Sequence, residues 1–411
     1  MLIERLLTGQ AARLTRRYLT FEEAAGSAPP PPAPGAQYLL YIHIPFCEEL
    51  CPFCSFVRVR FEPALAATYF QSLRREIEAC HDRGYTFESV YIGGGTPTIL
   101  PDELASTMAL VRRLWPIRQV SVETNPSHLV PDTMTVLKDI GTNRLSVGVQ
   151  SFDNAILEDV RRRHKYGCAD TIRQRLASAL GLFDTLNVDM IFNLPSQNEN
   201  KLAADIRSVL DLEADQVTWY PLMLSETKRQ AGPRDAKPDF TTERRMYEMI
   251  VDGLAATYRQ ESIWCFSKQA GLIDEYPATH DEYIGVGPGA LSYIHGTLCI
   301  NAFSIPDYMT LVRKHGFSLA SLRRFSRPER MRFDLLTRLM AGHMDIKAMR
   351  QKHAASPWLY LLPEMLFLLG TGSASLRHGR LALTRKGRYY WLTLMRTLLS
   401  MLGEYRDRQA R

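Results

Sequence analysis

Six short runs rich in β-branched and aromatic residues, each followed by a stretch of helical length, restrict the folds open to this chain more than any other feature. The runs are YLLYIHI (38–44), SVYIGGG (89–95), QVSVETN (119–125), RLSVGVQS (144–151), NVDMIFNL (187–194) and QVTWYPLM (216–223). The segments between them are amphipathic. In ATYFQSLRREIEACHDRG, for example, Tyr69, Leu73, Ile77 and Cys80 recur at helical spacing. Strand and helix alternating so regularly predict an α/β fold of βα units on a parallel sheet. Two architectures satisfy that pattern, a doubly wound open sheet and a full or partial barrel.

The flanks read differently. SAPPPPAPG (27–35) favours an extended polyproline conformation and reads as a linker. Before it, Leu2, Ile3, Leu6 and Leu7 form one side of a short helix that packs on the main body, or else a frayed tail. Beyond about residue 300, RMRFDLLTRLM and PEMLFLLG read as helices and RHGR as a turn between short strands. A closing helix follows, with Trp391, Leu394, Met395, Leu398 and Leu402 on one face. This part has the outline of a small winged-helix-like domain. Apolar residues fill its helix faces and no recognition helix is evident, so its role is packing rather than DNA binding. The expected organisation is therefore 1–37 as an N-terminal helix and linker, 38–300 as the core, and 301–411 as a C-terminal domain.

The 411 residues suffice for one barrel-sized domain and an appendage, and the net charge of +6 is spread over interspersed acids and bases. Nucleic acid is not implied. No run is apolar for the roughly 20 residues of a membrane span, and charges break the N-terminus where a signal peptide needs an apolar core. These features predict a cytoplasmic protein.

Three of the seven cysteines, Cys47, Cys51 and Cys54, lie in one loop after the first run, in YIHIPFCEELCPFCSF. In a reducing compartment such a group points to metal or redox chemistry. The CxxxCxxC spacing lets three thiolates converge, with Pro45 and Pro52 stiffening the loop. The alternatives are a zinc site completed by a distant residue, or three unrelated buried cysteines. Structural zinc usually takes paired CxxC knuckles, and no second pair exists; His43 lies on the strand, with its side chain expected to face away from the loop. Cys80, Cys168, Cys265 and Cys299 are expected as buried small apolar residues.

CxxxCxxC with Phe53 before the last cysteine resembles the radical S-adenosylmethionine (radical SAM) superfamily, and the longer Y-I-H-I-P-F-C resembles the branch named for oxygen-independent coproporphyrinogen III dehydrogenase. The resemblance runs from about residue 38 to the C-terminal helix. It implies a partial (β/α)6 TIM-type barrel. It also implies a 4Fe-4S cluster on Cys47, Cys51 and Cys54, whose open iron binds S-adenosyl-L-methionine (SAM). One electron then splits SAM into methionine and a 5′-deoxyadenosyl radical. Two molecules of SAM, and an electron donor such as flavodoxin or ferredoxin, are further implications. Parallel barrels place their sites at the C-terminal ends of strands, where the other motifs lie. Gly93, Gly94, Gly95 and Thr96, in GGGTP, occupy the position at which the family binds the SAM amino group. Glu123 ends the third run, Gln150 the fourth, and Asp189 lies on the fifth, where an acid in an apolar strand calls for a partner. Arg162 corresponds to a SAM-contacting arginine, although Arg161 and Arg163 beside it also fit a solvated basic helix end. Tyr41 matches the family tyrosine near SAM.

Departures narrow the branch. The coproporphyrinogen dehydrogenases carry a further cysteine where this chain has Phe56, and the heme chaperones carry H-N-x-x-Y-W where this chain reads His280-Asp281-Glu282-Tyr283. The remaining resemblance is to the radical methyltransferases and cyclopropane-forming enzymes. It implies methyl or methylene transfer from a second SAM to an aromatic or tetrapyrrole-like substrate. Coproporphyrinogen decarboxylation, non-catalytic heme carriage and a purely redox iron–sulfur protein are the alternatives. WCFSKQAGLIDEYPATHDEY, with Trp264, Phe266, Asp274, Glu275, His280 and Asp281, suits either a substrate wall or an ordinary loop, and EYIGVGPGALS lacks dinucleotide-loop spacing.

Overall fold

A computed structural model describes residues 2–224, 239–270 and 276–409. The six runs form strands β1 (Tyr38–Ile44), β2 (Phe87–Gly94), β3 (Gln119–Thr124), β4 (Arg144–Gln150), β5 (Thr185–Phe192) and β6 (Gln216–Pro221). They lie in that order, each parallel to the next. The connecting helices include α1 (Pro63–Asp82), α2 (Pro101–Leu114), α3 (Pro131–Asp139), α4 (Ala169–Ala179) and α5 (Glu199–Leu212). Three of them begin on proline at the first turn, where its missing N–H costs no hydrogen bond. This is the partial TIM-type barrel, with the doubly wound alternative set aside by the simple β1-to-β6 order.

Strand alternation sorts the sheet's two faces. Leu40, Ile42, Val90, Ile92, Val120, Val122, Leu145, Val147, Leu186 and Val188 join one core with the apolar faces of the helices, including Tyr69, Leu73, Ile77 and Cys80 of α1. The opposite, inner face carries Tyr41, Tyr91, Glu123, Ser146 and Asp189; Tyr41 faces Tyr91 and Glu123 faces Ser146 in register, and hydrogen bonds join Tyr91 to Glu123 and Ser146 to Asp189 diagonally. Full TIM barrels fill this interior with branched apolar side chains. A polar and aromatic interior here is the first sign of a site.

The sheet extends at both ends. Beside β6, Cys265–Ser267 pairs antiparallel. Beside β1, β7 (Tyr283–Val286) runs parallel, and an antiparallel meander continues through Leu291–Ile294 and Thr297–Asn301 to Leu319–Arg324. EYIGVGPGALS thus supplies β7 and the start of the meander beside the barrel, whereas Asp274 and Glu275 lie outside the described residues. An N-terminal helix, Leu2–Tyr18, packs against the C-terminal helix Arg385–Gln409. The proline run lies on the barrel: Tyr85 donates its hydroxyl to the Pro30 carbonyl, and the Tyr38 hydroxyl accepts from the Ala33 amide at 3.0 Å. In the C-terminal part, Ala374–Arg377 and Arg380–Leu383 form a hairpin whose two turn residues, His378 and Gly379, both have positive φ, the geometry of a tight primed turn. Cys80, Cys265 and Cys299 are buried as expected, but Cys168 is only half-buried, just before α4. Among the described residues no helix is long and apolar enough to cross a membrane.

Candidate active site

The cysteine loop springs from the end of β1 and is closed by its own backbone. Phe46–Cys47 pairs in parallel with Val59–Arg60, with Val59 N donating to Pro45 O and Phe61 N to Cys47 O, both at 2.8 Å. Arg58 Nη2 donates to Cys51 O at 2.5 Å, and Cys54 N to Cys51 O at 3.2 Å. His43 departs from expectation. Its side chain faces the loop, with Nε2 2.8 Å from Val57 O and Nδ1 2.9 Å from the Tyr41 hydroxyl. Burial lowers its pKa to about 4, so the ring is neutral; Nε2–H must donate to the carbonyl and Nδ1 accept from Tyr41.

The glycines of GGGTP serve this packing as well as any ligand. A Cβ on Gly93 would lie 2.8 Å from the Glu123 carboxyl, and one on Gly95 would lie 2.6 Å from Phe46 O. Gly94 has φ +117°, which favours glycine in its own right. Because the obstacle at Gly95 is backbone, Gly95→Ala should push the cysteine loop aside. Iron and sulfide content after reconstitution should then fall by at least half relative to the parent, with the fold intact by circular dichroism; full loading would contradict this packing argument.

A chain of contacts joins two of the three thiols. Thr96 Oγ1 lies 3.7 Å from Cys47 Sγ and accepts from Asn125 Nδ2 at 2.8 Å. Asn125 Oδ1 accepts from Arg162 Nη2 at 3.3 Å, and Arg162 Nη1 reaches Cys51 Sγ at 3.3 Å. Arg162 also donates to Gly148 O at 2.5 Å and lies 4.2 Å from the Tyr166 ring centroid. Arg162 is 4% exposed; the preceding Arg161 has φ +55°, a left-handed kink that turns Arg162 inward while Arg161 and Arg163 stay exposed. The solvated helix-end reading therefore fails for Arg162. Burial opposes its charge, but the Cys51 side chain, through charge and hydrogen bond, raises its pKa above the ordinary arginine value. Burial pushes the Cys47 thiol up to about 11, with Cys54 and Cys51 adding to the rise and Thr96 and Arg58 opposing it. A thiol so placed ionises only with a cation at hand, which a metal centre supplies.

On the inner face, Glu123 accepts from the Tyr91 hydroxyl at 2.8 Å and from Gly94 N at 3.1 Å. Burial, and then the Glu123 charge, hold the Tyr41 phenol protonated well above its usual range. Asp189 has the partners its setting demands, Ser146 Oγ and Asn187 Nδ2, each at 2.8 Å. Gln150 ends β4 with φ +77° beside a register shift. Phe53 packs with Ile156, Val160, Ile191 and Leu194. The structure thus gathers Tyr41, Gly93–Thr96, Glu123 and Arg162 around the cysteine loop; Gln150 flanks Gly148 together with Arg162, and Asp189 faces Gly148 in register on β5. Sequence reasoning missed Asn125, although its place inside VETNP, directly after the strand-end acid, was a usable signal.

The radical SAM superfamily model matches residues 41–209. The heme chaperone HemW of Bacillus subtilis (strain 168) is 32% identical over 293 residues, which cover 67% of this chain and 76% of that protein. The chain belongs to the HemN/HemW family of radical SAM proteins. The oxygen-independent coproporphyrinogen III oxidase of Paracoccus denitrificans (strain Pd 1222) is 29% identical over 350 residues, 76% of this chain and 75% of that one. Among solved structures, the Escherichia coli coproporphyrinogen III oxidase HemN superposes with a TM-score of 0.75 at 22% identity, covering 94% of this chain and 95% of its own, and so agrees in fold.

The cofactors of this radical SAM family are a 4Fe-4S cluster and SAM, and the donor set fits the cluster. Its three thiols share one loop, and two are nearly enclosed, at 8% exposure each. Among the described residues, no three Cys, His, Asp or Glu side chains are grouped as a single metal ion would need.

Proposed function

We propose that this chain cleaves SAM reductively and directs the resulting radical at a flat aromatic substrate of tetrapyrrole type. The observation that carries the substrate class is an aromatic wall continuous with the inner barrel face. Tyr41 and Tyr91, with ring centroids 6.0 Å apart, share a cluster with Tyr283, Tyr293, Phe325 and Phe333. Tyr293 and Phe333 lie 4.2 Å apart, and Tyr41, Tyr91, Phe325 and Phe333 are only partly buried. Offset aromatic surface of this kind suits a planar ring system. The relatives named as a heme chaperone and as a coproporphyrinogen oxidase support the same class.

When bound, the reduced cluster supplies the electron that splits SAM. The chain's own residues then have separable tasks. Glu123 accepts hydrogen bonds from the amino or hydroxyl groups of SAM while Tyr91 and Gly94 hold its carboxylate in place. Arg162 keeps positive charge against Cys51, and the apolar group around Phe53 excludes water on one side of the loop. Methyl or methylene transfer from a second SAM is the finer part of the proposal. It is supported by Phe56, 55% exposed, standing where the related oxidases carry a further cysteine. Flavodoxin or ferredoxin is the proposed electron source.

Anaerobic incubation of the reconstituted, reduced protein with SAM and a tetrapyrrole tests both parts. Mass spectrometry should find 5′-deoxyadenosine together with S-adenosylhomocysteine; 5′-deoxyadenosine alone would retain the radical enzyme and remove methyl transfer. Heme carriage is a second reading, favoured by the heme-chaperone relatives. In its region of the chain, however, Asp281 is paired with Arg338 and Lys352, and Glu282 lies 3.4 Å from His295. A stable Soret band at equimolar heme with no SAM cleavage by cluster-loaded protein would establish carriage instead.

A further inference from the structure

Large apolar side chains exposed singly need no explanation, but contiguous ones do. Of the eleven such side chains that stand exposed among the described residues, six fall between residues 358 and 376: Trp358, Leu359, Leu362, Leu366, Phe367 and Leu376. They lie on two consecutive short helices, Pro357–Tyr360 and Leu362–Gly370, and on the strand Ala374–Arg377 that packs against the second. The other side of these elements is anchored: Leu361, Met365 and Leu368 are buried in the main core. Leu359 and Leu366 are the most exposed of the six, at 73% and 57%, and the other four stand about two-fifths exposed.

The border of this patch is basic. Lys347 and Arg350 are exposed on the adjoining helix Ile346–His353, and Arg377 and Arg380 at the hairpin tip. The two groups meet where Ile346 N donates to Gly379 O at 3.0 Å. Among the described residues none of these four cations is in an ion pair. The one acid between residues 346 and 383, Glu364, is already bound to Arg332 at 2.6 Å, and Asp345, which caps the helix through the Ala348 amide and faces Arg380 in register, is the single carboxylate whose charge reaches Arg380 and Lys347.

The charge decides the occupant. A second copy meeting this face by two-fold symmetry would set the same four cations against themselves. An anionic bilayer would neutralise them while accepting projecting Leu, Phe and Trp side chains at its interface. We infer that the C-terminal helices dock the protein peripherally on an anionic lipid surface. The inference does not depend on the cluster chemistry.

The test is cosedimentation of the full, cluster-loaded chain with vesicles of phosphatidylcholine alone, or containing about one-third phosphatidylglycerol. Binding should require the anionic lipid and fade at high salt. It should weaken roughly tenfold in a Leu359→Ser/Leu366→Ser protein, and likewise in Arg377→Ser/Arg380→Ser. All four positions are exposed, so an unchanged thermal melt verifies the fold. Absence of binding to anionic vesicles, or binding unaltered in both variants, would overturn the inference. So would self-association in lipid-free sedimentation that the Leu359 replacement abolishes, since it would assign the patch to a second copy.

Discussion

Cys51→Ala protein should hold no intact cluster and release no 5′-deoxyadenosine above background. The loss follows from position as well as from ligand count. Cys51 is the thiol that Arg162 touches, and Arg162 in turn reaches Cys47 through Asn125 and Thr96, so one deletion breaks the arrangement on both sides of the loop. It also leaves a buried guanidinium without the sulfur facing it, which adds a destabilising term to the missing ligand. Cys265→Ala is the matched control. That cysteine is fully buried on a strand beside β6, away from the loop, and its replacement should reduce stability without altering cluster loading. Iron and sulfide analysis with product quantification checks both. A Cys51→Ala protein with parental iron content that still made 5′-deoxyadenosine would remove the assignment of the loop.

The barrel was legible in the sequence because its signal is local. Each of the six runs became a strand with ends within two residues of expectation, since parallel strands buried on both faces read as short apolar blocks between helices. The ends of those blocks also gave Glu123, Gln150 and the glycine turn. What the sequence concealed depends on distant partners. Tyr41 and Glu123 were found as separate residues, but the aromatic wall needed Phe325 and Phe333 brought back across the sheet extension. Two buried acids were overlooked although their signal was present. Asp205 lies on the apolar face of α5 with Leu202, Ile206 and Val209, where it accepts from Ser151 Oγ at 2.8 Å and Phe152 N at 2.7 Å and fixes the turn after Gln150. Burial raises its pKa to about 6. Glu76 sits among Leu73, Ile77 and Cys80 on the apolar face of α1. An acid on the buried stripe of an amphipathic helix is costly unless something far away in sequence meets it, and that rule alone picks out both.

Replacing Glu76 with leucine should destabilise the protein by roughly 3–5 kcal/mol, the cost of leaving several buried donors unpaired around a side chain of similar volume. Glu76 is 1% exposed and accepts from Gly287 N at 2.9 Å, Tyr308 hydroxyl at 2.9 Å, Asn301 Nδ2 at 3.3 Å, Ser318 N at 2.9 Å and Ser318 Oγ at 2.6 Å. Those donors come from the extension that runs beside β1, so a single carboxylate on α1 fastens that extension to the barrel. Tyr69, on the same helix, donates to the His43 carbonyl, which places the cysteine loop next to this junction. Burial raises the Glu76 pKa despite the donors that oppose the rise. A raised carboxyl pKa contributes stability that is complete below the unfolded value and is lost as pH rises through the folded one. The gap between parent and Glu76→Leu should therefore widen as pH falls from neutrality toward the ordinary glutamate value of 4.5. Urea titrations at two pH values measure this as a lower midpoint at unchanged slope. A gap below about 1 kcal/mol would show that the junction is held by packing alone; a gap that narrowed on acidification would reverse the sign of the linkage and show that the donors around Glu76, rather than its burial, set its pKa.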